Sequence, residues 1–286
     1  MSSLASQIVG LVMLLVGIGL ADRLLQRSNR MTGAQRQARL LALMTGVGGL
    51  VGAVAWWQNV PFAFAWTLPQ VAARFLAVAG VAFGIAALRA AWIGSTGHLR
   101  LIASMLAVYL GPLAIAALTL HLDRFDPNAP ITYAFFAIVA VMLVAAIATL
   151  LRLPANERGM SSGALTVIGA TAGLWGVVLF LWPNGPIHTL WPWPDDPLTT
   201  RLIASMFLTV ATACLLAEGR AERETAQILC TLYSTGIVGA TILAAATGKP
   251  GSSAYLVYWT LVGITAIRSW INRRATLPRH GPSHPD

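Results

Sequence analysis

The chain has 286 residues, of which 57% are hydrophobic and only 10% are charged. A soluble domain carries about 25% charged residues, so this composition excludes an ordinary soluble protein and predicts one embedded in a membrane. The formal net charge of +9 would indicate nucleic-acid binding in a soluble protein, but basic loops at one membrane surface account for it here.

Nine stretches are apolar enough to cross a bilayer, which takes about 20 mostly apolar residues. None of them alternates with a period of two, so helices are the expected structure. No basic residue precedes the first stretch, which argues against a cleaved signal peptide. The predicted spans are 4–21, 40–57, 70–93, 101–120, 131–151, 164–182, 201–217, 227–246 and 254–271.

The basic residues predict the orientation of the chain. They fall at the junctions that follow the odd-numbered spans, either in the loop or near the end of the span, except for Arg74, Arg124, Arg201 and Lys249. Because cytoplasmic loops carry the excess of Lys and Arg, the N-terminus is predicted outside a cell (plasma or inner) membrane and the C-terminus in the cytoplasm. The segment from Arg23 to Arg39 is predicted to be a basic cytoplasmic loop that contains a short interfacial helix.

Two stretches of the chain resemble each other, namely WQNVPFAFAWTLPQVAAR at 57–74 and WPNGPIHTLWPWPDDPLTTR at 182–201. The matched pairs are Trp57 and Trp182, Asn59 and Asn184, Pro61 and Pro186, Trp66 and Trp191, Pro69 and Pro194 and, after an insertion at Asp195-Asp196, Arg74 and Arg201. This similarity predicts a tandem repeat of four helices, related by an axis along the membrane normal. A second identity, RLIASM at 100–105 and 201–206, contradicts that register and is taken as coincidence.

The predicted organisation therefore has four parts. Residues 1–39 form the N-terminal transmembrane helix and its basic loop, 40–160 the first repeat, and 161–272 the second repeat. Residues 273–286, which are rich in proline and histidine, form a disordered cytoplasmic tail. Glycine pairs with three residues between them predict close packing of helices within the chain, or alternatively dimerisation. These pairs are Gly48 and Gly52, Gly80 and Gly84, and Gly169 and Gly173.

The strongest candidate ligand site is the repeated junction itself. Arg74 and Arg201 are each predicted in the first turn of a helix, where the helix N-terminus already favours anions. A guanidinium beside it suits a phosphate or carboxylate. The alternative is an interfacial arginine that reaches lipid phosphate or pairs with Asp195 or Asp196. The candidate set is Arg74, Arg201, Asn59, Asn184, Trp66 and Trp191. Arg74 is favoured because the two aspartates occur only in the second copy.

Other chemistry has weaker support. His121 and Asp126 have the H-x-x-x-x-D spacing of glycerolipid acyltransferases, but lie on the wrong predicted side for cytoplasmic acyl donors. His121 and His188 lack a third metal ligand. Cys214 and Cys230 are predicted at similar depth, as small buried side chains. No catalytic residue, metal or cofactor is predicted. No Asp, Glu, Lys or His lies in the middle third of a predicted span, which disfavours ion-driven transport.

The segment Trp191–Arg201, WPWPDDPLTTR, resembles a motif of uncharacterised multi-pass bacterial membrane proteins in which Trp-Pro-Trp precedes Pro-Leu-Thr and Arg. The resemblance covers one junction and implies a membrane location without an activity.

The sequence thus predicts an all-α integral membrane protein of about nine helices. The expected function is that of a non-enzymatic membrane subunit or lipid-interacting scaffold. Membrane lipids are the expected partners, together with a possible protein partner in a membrane complex, and nucleic acid is not. The competing prediction is a transporter of a small or lipid-like solute, with its site between the two repeats.

Overall fold

The computed structural model describes residues 19, 31–60, 63–154, 162–185, 196–217, 219–248 and 253–275, with side chains in the last segment described to 271. The described residues form helices and contain no strand. Eight helices within these described residues are long and apolar enough to cross a membrane, which confirms an all-α membrane-type architecture. The predicted span at 4–21 lies outside the described residues, apart from Gly19.

The eight helices correspond to the predicted spans from 40–57 onward, although several begin earlier than predicted. They are α1 (Gly33–Trp57), α2 (Gln70–Ile93), α3 (Thr96–Ile115), α4 (Pro130–Arg152), α5 (Gly163–Leu181), α6 (Pro197–Leu215), α7 (Arg220–Ala246) and α8 (Ser253–Ala275). A π-helical turn, Ala116–Leu120, continues α3 and precedes a 3₁₀ turn, Leu122–Arg124.

Helix α1 begins earlier than the sequence predicts. Thr32 is its N-cap and forms a capping box with Gln35, in which each side chain meets the other residue's backbone N–H. Such a box satisfies backbone donors that would otherwise be unpaired. Residues 33–39, predicted to lie in a basic loop with a separate interfacial helix, are therefore the first turns of α1.

We call the end of the bundle where α1 begins the basic end, and the opposite end the corner end. We call α1–α4 the first half and α5–α8 the second half. The most extensive contacts are α1 with α2 and α5 with α6. Contacts between the halves join α2 to α7 and α3 to α6. Most of the buried apolar side chains form one continuous cluster that spans both halves.

Glycines bring the two tightest helix pairs together. A Cβ added at Gly49 would lie 2.8 Å from the carbonyl oxygen of Gly80, and one at Gly84 would lie 2.9 Å from that of Gly46. In the second half, Gly173 faces Ala211 and Gly176 faces the carbonyl of Ala204. Close backbone approach of this kind replaces the hydrophobic driving force that lipid does not supply.

The prediction that Gly48 and Gly52 form the close-packing face of α1 is wrong. Among the described residues, Gly48 has no atom within 4 Å of an added Cβ, and Gly52 meets the ring of Trp56 in its own helix. The packing face of α1 instead carries Gly46 and Gly49, because α2 lies against that side. The predicted pair Gly80 and Gly84 does pack within the chain, as does Gly169 with Gly173.

The seam, by which we mean the contacts between the two halves, is continuous from end to end. At the corner end Trp66 Nε1 donates to Thr199 Oγ1 at 3.4 Å. Farther along α2, Phe75 stacks on Tyr255 with ring centroids 5.7 Å apart, and the side chain of Val78 fills the space beside Gly236. At the basic end Arg89 of α2 forms an ion pair with Glu224 of α7.

Candidate functional site

The corner end is where the structure places most of the predicted site residues. Arg74 and Arg201 are each the fifth residue of their helices, α2 and α6. They therefore begin the second turn, one turn later than predicted. Helix α6 begins with Pro197 after the N-cap Asp196, whose carboxylate accepts from the backbone N–H groups of Leu198 and Thr199. Helix α2 begins after Pro69, which makes no side-chain cap.

Arg201 is satisfied by groups of the protein itself. Its Nε donates to the carbonyl of Phe180 at 3.1 Å, near the end of α5. Its Nη1 donates to His121 Nε2 at 2.5 Å. Asp196, proposed as its counter-ion, is instead occupied as the N-cap and accepts a further bond from Thr199 Oγ1 at 2.8 Å. Asp195 lies outside the described residues. Arg201 thus ties α6 to the end of α5 and to the loop after α3.

Arg100 has the same role at the opposite end of the bundle. It donates to the carbonyls of Leu150 and Leu153 at the end of α4. The serine four residues later donates back to the arginine carbonyl in both copies of RLIASM, from Ser104 and from Ser205. The repeated hexapeptide therefore has one local role, in which an arginine binds the carboxyl end of a neighbouring helix.

His121 accepts the Arg201 bond as a neutral imidazole, because a guanidinium can only donate. Burial lowers the pKa of His121 below its ordinary value, and the positive charge of Arg201 lowers it further. Protonating this ring would remove the acceptor and place two cations together.

Acidification is therefore expected to weaken the corner end. Over the interval from about pH 7.5 to about pH 5.5 the unfolded state binds more protons at position 121 than the folded state, so stability falls as the pH falls. His121→Gln keeps an acceptor oxygen but does not titrate. We expect thermal unfolding in detergent to depend less on pH in His121→Gln than in the parent protein, and identical pH profiles would contradict this assignment.

Arg74 has a different environment from Arg201. Its guanidinium lies over the ring of Trp57, with Cζ 5.7 Å from the ring centroid. Its Nε is buried and has no hydrogen-bond partner among the described residues. The aligned tryptophan of the second copy, Trp182, is exposed at the end of α5. The two aligned arginines therefore differ, because Arg201 is bonded to acceptors within the described part of the chain and Arg74 is not.

Trp66 joins the two halves at the corner end. Besides its bond to Thr199, its ring packs edge-on against Phe125 and Phe135, with centroids 5.6 Å and 5.5 Å away. This ring contributes to packing around the Asp196 cap. Trp191, its predicted counterpart, lies outside the described residues, as does His188.

The two aligned asparagines act as local turn residues. Asn59 has φ of 51°, the left-handed region that asparagine tolerates better than most residues. Its N–H donates to the carbonyl of Trp56, and the N–H of Val60 donates to that of Ala55, a pattern that ends α1 as a Schellman motif. Asn184 lies in the turn closed by the bond from Gly185 N–H to the Trp182 carbonyl.

The acyltransferase-like pair is not assembled. The Asp126 carboxylate accepts from the backbone N–H of Asn128 at 2.8 Å, while His121 is bonded to Arg201. Within the described part of the chain, no three His, Cys, Asp or Glu residues come close enough to hold a metal. Cys214 and Cys230 are buried with their sulfur atoms 3.4 Å apart, as their predicted depths indicated.

Sequence reasoning missed a layer of buried polar groups at the basic end. Arg39, His98 and Glu222 are only 2%, 3% and 5% exposed, next to the ion pair of Arg89 and Glu224. His98 Nδ1 contacts Ser95 Oγ at 2.6 Å, and its Nε2 is buried without a hydrogen-bond partner among the described residues. In the sequence, only the run of charges at 220–224 indicated these buried polar groups. The structure places that run in helix α7 and not in a loop.

No protein-family model matches this sequence, and comparisons with curated proteins and with solved structures find no similar protein.

Proposed function

We propose that this protein is a non-enzymatic, lipid-interacting scaffold of a cell membrane, and that Arg74 is its binding site for the phosphate of an anionic lipid. The observation that carries the proposal is the difference between the two aligned arginines. Arg201 bonds to His121 and to the Phe180 carbonyl, whereas Arg74 has Trp57 beside it and no hydrogen-bond acceptor among the described residues.

A guanidinium in this position favours an anionic partner. Its charge is costly to bury without a counter-ion, and its fork of N–H donors matches two phosphate oxygens. Tryptophan is enriched at the level of the lipid headgroups, so Trp57 places the guanidinium at the depth where lipid phosphates lie. Lipid headgroups are therefore the nearest abundant source of the missing acceptor.

The packing of the seam supports a scaffold over a transporter. Phe75 of α2 is buried and stacks on Tyr255 of α8 with ring centroids 5.7 Å apart, and Val78 of α2 fills the space beside Gly236 of α7. No Asp, Glu, Lys or His occupies the middle third of a described helix, where ion-coupled carriers place their ionisable groups.

A transporter of a small or lipid-like solute is the second candidate, and one observation favours it. The buried layer of Arg39, His98 and Glu222 at the basic end is of the kind that marks ion and substrate pathways.

Two features of the helix packing support the tandem repeat. The close pair α1–α2 corresponds to α5–α6, and the contact of α2 with α7 corresponds to that of α6 with α3. Arg74 and Arg201 also hold the same position in α2 and α6. The proposed orientation, with the basic end in the cytoplasm and the N-terminus outside, follows from the charge distribution. In this orientation the positive charge of the basic end attracts the anionic lipids of the inner leaflet. The basic charge of the chain then requires no nucleic-acid partner.

The experiment compares Arg74→Gln with Arg201→Gln. Each protein is purified from mixed micelles of phosphatidylglycerol and phosphatidylcholine, and the retained lipid is counted by native mass spectrometry. Arg74→Gln is expected to lose phosphatidylglycerol by about tenfold or more, because charge-assisted bonds to the phosphate disappear. Arg201→Gln is expected to unfold at a lower temperature and to keep the lipid. Equal retention by Arg74→Gln and the parent protein would overturn the assignment.

A further inference from the structure

A groove at the corner end lies outside the arginine site. It is formed by the π-helical turn after α3, the 3₁₀ turn that follows, and the first turns of α4, and its volume is about 670 Å³. Grooves of about 300–1,000 Å³ accommodate a small-molecule ligand. Single π-helical turns occur often at functional sites, and here the turn carries Leu118 into the wall of the groove.

The walls of the groove are mainly apolar and continuous with the exposed surface of the bundle. Leu118 and Leu122 are each 55% exposed, and Phe136 lines the groove beside them. Leu118 belongs to the helical stretch Thr96–Leu120 and Phe136 to α4, and both helices are apolar enough to cross a membrane. Hydrocarbon can therefore enter the groove from the side, as a lipid chain would.

One wall carries a hydroxyl group that lacks a partner. Thr132 is 6% exposed, and its Oγ1 has no hydrogen-bond partner among the described residues. Other threonines of the bundle, including Thr45, Thr119 and Thr209, donate to the carbonyl four residues earlier. An unpaired buried hydroxyl is unfavourable, so an acceptor oxygen from a ligand would stabilise this position.

The mouth of the groove carries an exposed carboxylate, that of Asp123. It makes no ion pair with another described residue. The ring of Tyr133 stands beside the groove, with its hydroxyl donating to the Pro127 carbonyl at 2.8 Å. A carboxylate next to an aromatic ring favours an ammonium group. Arg124 follows in the same turn, so the turn as a whole suits a zwitterion better than an anion.

We propose that this groove binds an ethanolamine phospholipid. The primary ammonium of the headgroup donates to the Asp123 carboxylate, an ester carbonyl accepts from Thr132 Oγ1, and an acyl chain lies along Leu118 and Phe136. A choline headgroup has no N–H to donate to Asp123, and an anionic glycerol headgroup would be repelled by it. The groove therefore selects by headgroup and holds the lipid by its chain.

The test uses two variants and two matched controls in mixed micelles of phosphatidylethanolamine, phosphatidylcholine and phosphatidylglycerol, with retained lipid counted by native mass spectrometry. Asp123→Asn removes the carboxylate at the groove, and Asp126→Asn removes an equal charge nearby while keeping an oxygen to accept from Asn128. Thr132→Val removes the unpaired hydroxyl, and Thr119→Val removes one that is bonded within its own helix.

The parent protein and both controls are expected to retain phosphatidylethanolamine over phosphatidylcholine by about tenfold. Asp123→Asn should abolish that preference, and Thr132→Val should lower the retention of both lipids by about fivefold. Asp123 is exposed, so its variant should fold normally and alone decides the headgroup assignment. Equal retention of phosphatidylethanolamine and phosphatidylcholine by the parent protein, a preference for phosphatidylglycerol over phosphatidylethanolamine that persists in Arg74→Gln, or an unchanged preference in Asp123→Asn would overturn the proposal. Arg74→Gln should leave the ethanolamine preference intact, so the two lipid assignments fail independently.

Discussion

Gly49→Leu is expected to destabilise the protein by about 3 kcal/mol or more, whereas Gly48→Leu changes its stability by less than about 1 kcal/mol. A Cβ at position 49 would lie 2.8 Å from the backbone carbonyl of Gly80, but one at position 48 has no neighbour within 4 Å in the part of the chain that the structure describes. The obstacle at Gly80 is backbone, so α1 and α2 must move apart and lose their contact. Thermal unfolding in a mild detergent measures the difference.

The adjacent positions share helix propensity and depth, which makes Gly48→Leu a close control for Gly49→Leu. Equal effects of the two substitutions would show that α2 does not pack on the Gly46 and Gly49 face of α1. A large effect at Gly48 alone would instead indicate that this face is covered by a second molecule or by a part of the chain outside the described residues.

Gly236→Ala should cost about 1–3 kcal/mol, as overpacking of a filled interior does. A Cβ at this position of α7 would lie 2.5 Å from Cγ1 of Val78 on α2, and this contact crosses the seam. The matched control is Gly239→Ala, where an added Cβ has no neighbour within 4 Å. Gly236→Ala should unfold at a lower temperature than the parent protein, whereas Gly239→Ala should unfold at the same temperature as the parent protein.

A substitution at Val78 tests whether the stability loss in Gly236→Ala arises from its contact with the Val78 side chain. Val78→Ala removes the methyl groups that the new Cβ would meet, so the double variant Gly236→Ala/Val78→Ala should recover part of the stability lost in Gly236→Ala. Additive losses in the double variant would mean that the two side chains do not meet across the seam.

The apolar spans were predictable because a backbone in lipid must satisfy its own hydrogen bonds, and a helix long enough to cross the bilayer does so. The prediction for 70–93 coincides with α2, and those for α4, α5 and α8 differ little from the observed ends. The beginnings of α1 and α7 were missed because both helices extend into charged sequence. The spacing of Thr32 and Gln35 matches a capping box, which the structure contains. Only the structure shows that the helix beginning there continues without a break into the apolar span.

The site was only partly predictable, for a different reason. The identity of the arginines and tryptophans at the corner end is visible in the repeated segment, but their partners are not. His121 reaches Arg201 from a loop in the other half of the chain, and the sequence suggested Asp195 or Asp196 for that role. Likewise, the spacing of glycines in the sequence identifies pairs on α1 but does not show which of them faces α2. That depends on how α1 is rotated about its own axis, which is set by its packing against α2.

The preference for Arg74 as the anion site remains a prediction, now with a different physical basis. In the sequence it depended on the aspartates near Arg201. In the structure Asp196 is the N-cap of α6, and Arg201 is instead satisfied by an imidazole and a backbone carbonyl. Arg74 lies over Trp57, and its buried Nε has no hydrogen-bond partner among the described residues. We therefore expect Arg74 to bind an external phosphate better than Arg201 does.

Cysteine accessibility at the seam tests the scaffold against the transporter most directly. In a background that carries Cys214→Ala and Cys230→Ala, Val78→Cys places one thiol where α2 meets α7, and Asn128→Cys serves as an accessible control in an exposed loop. A water-soluble maleimide is applied from each side of intact membranes. A packed scaffold predicts no labelling of Val78→Cys while Asn128→Cys is labelled to completion. Labelling of Val78→Cys from either side would reveal a water-filled path between the halves and contradict the scaffold.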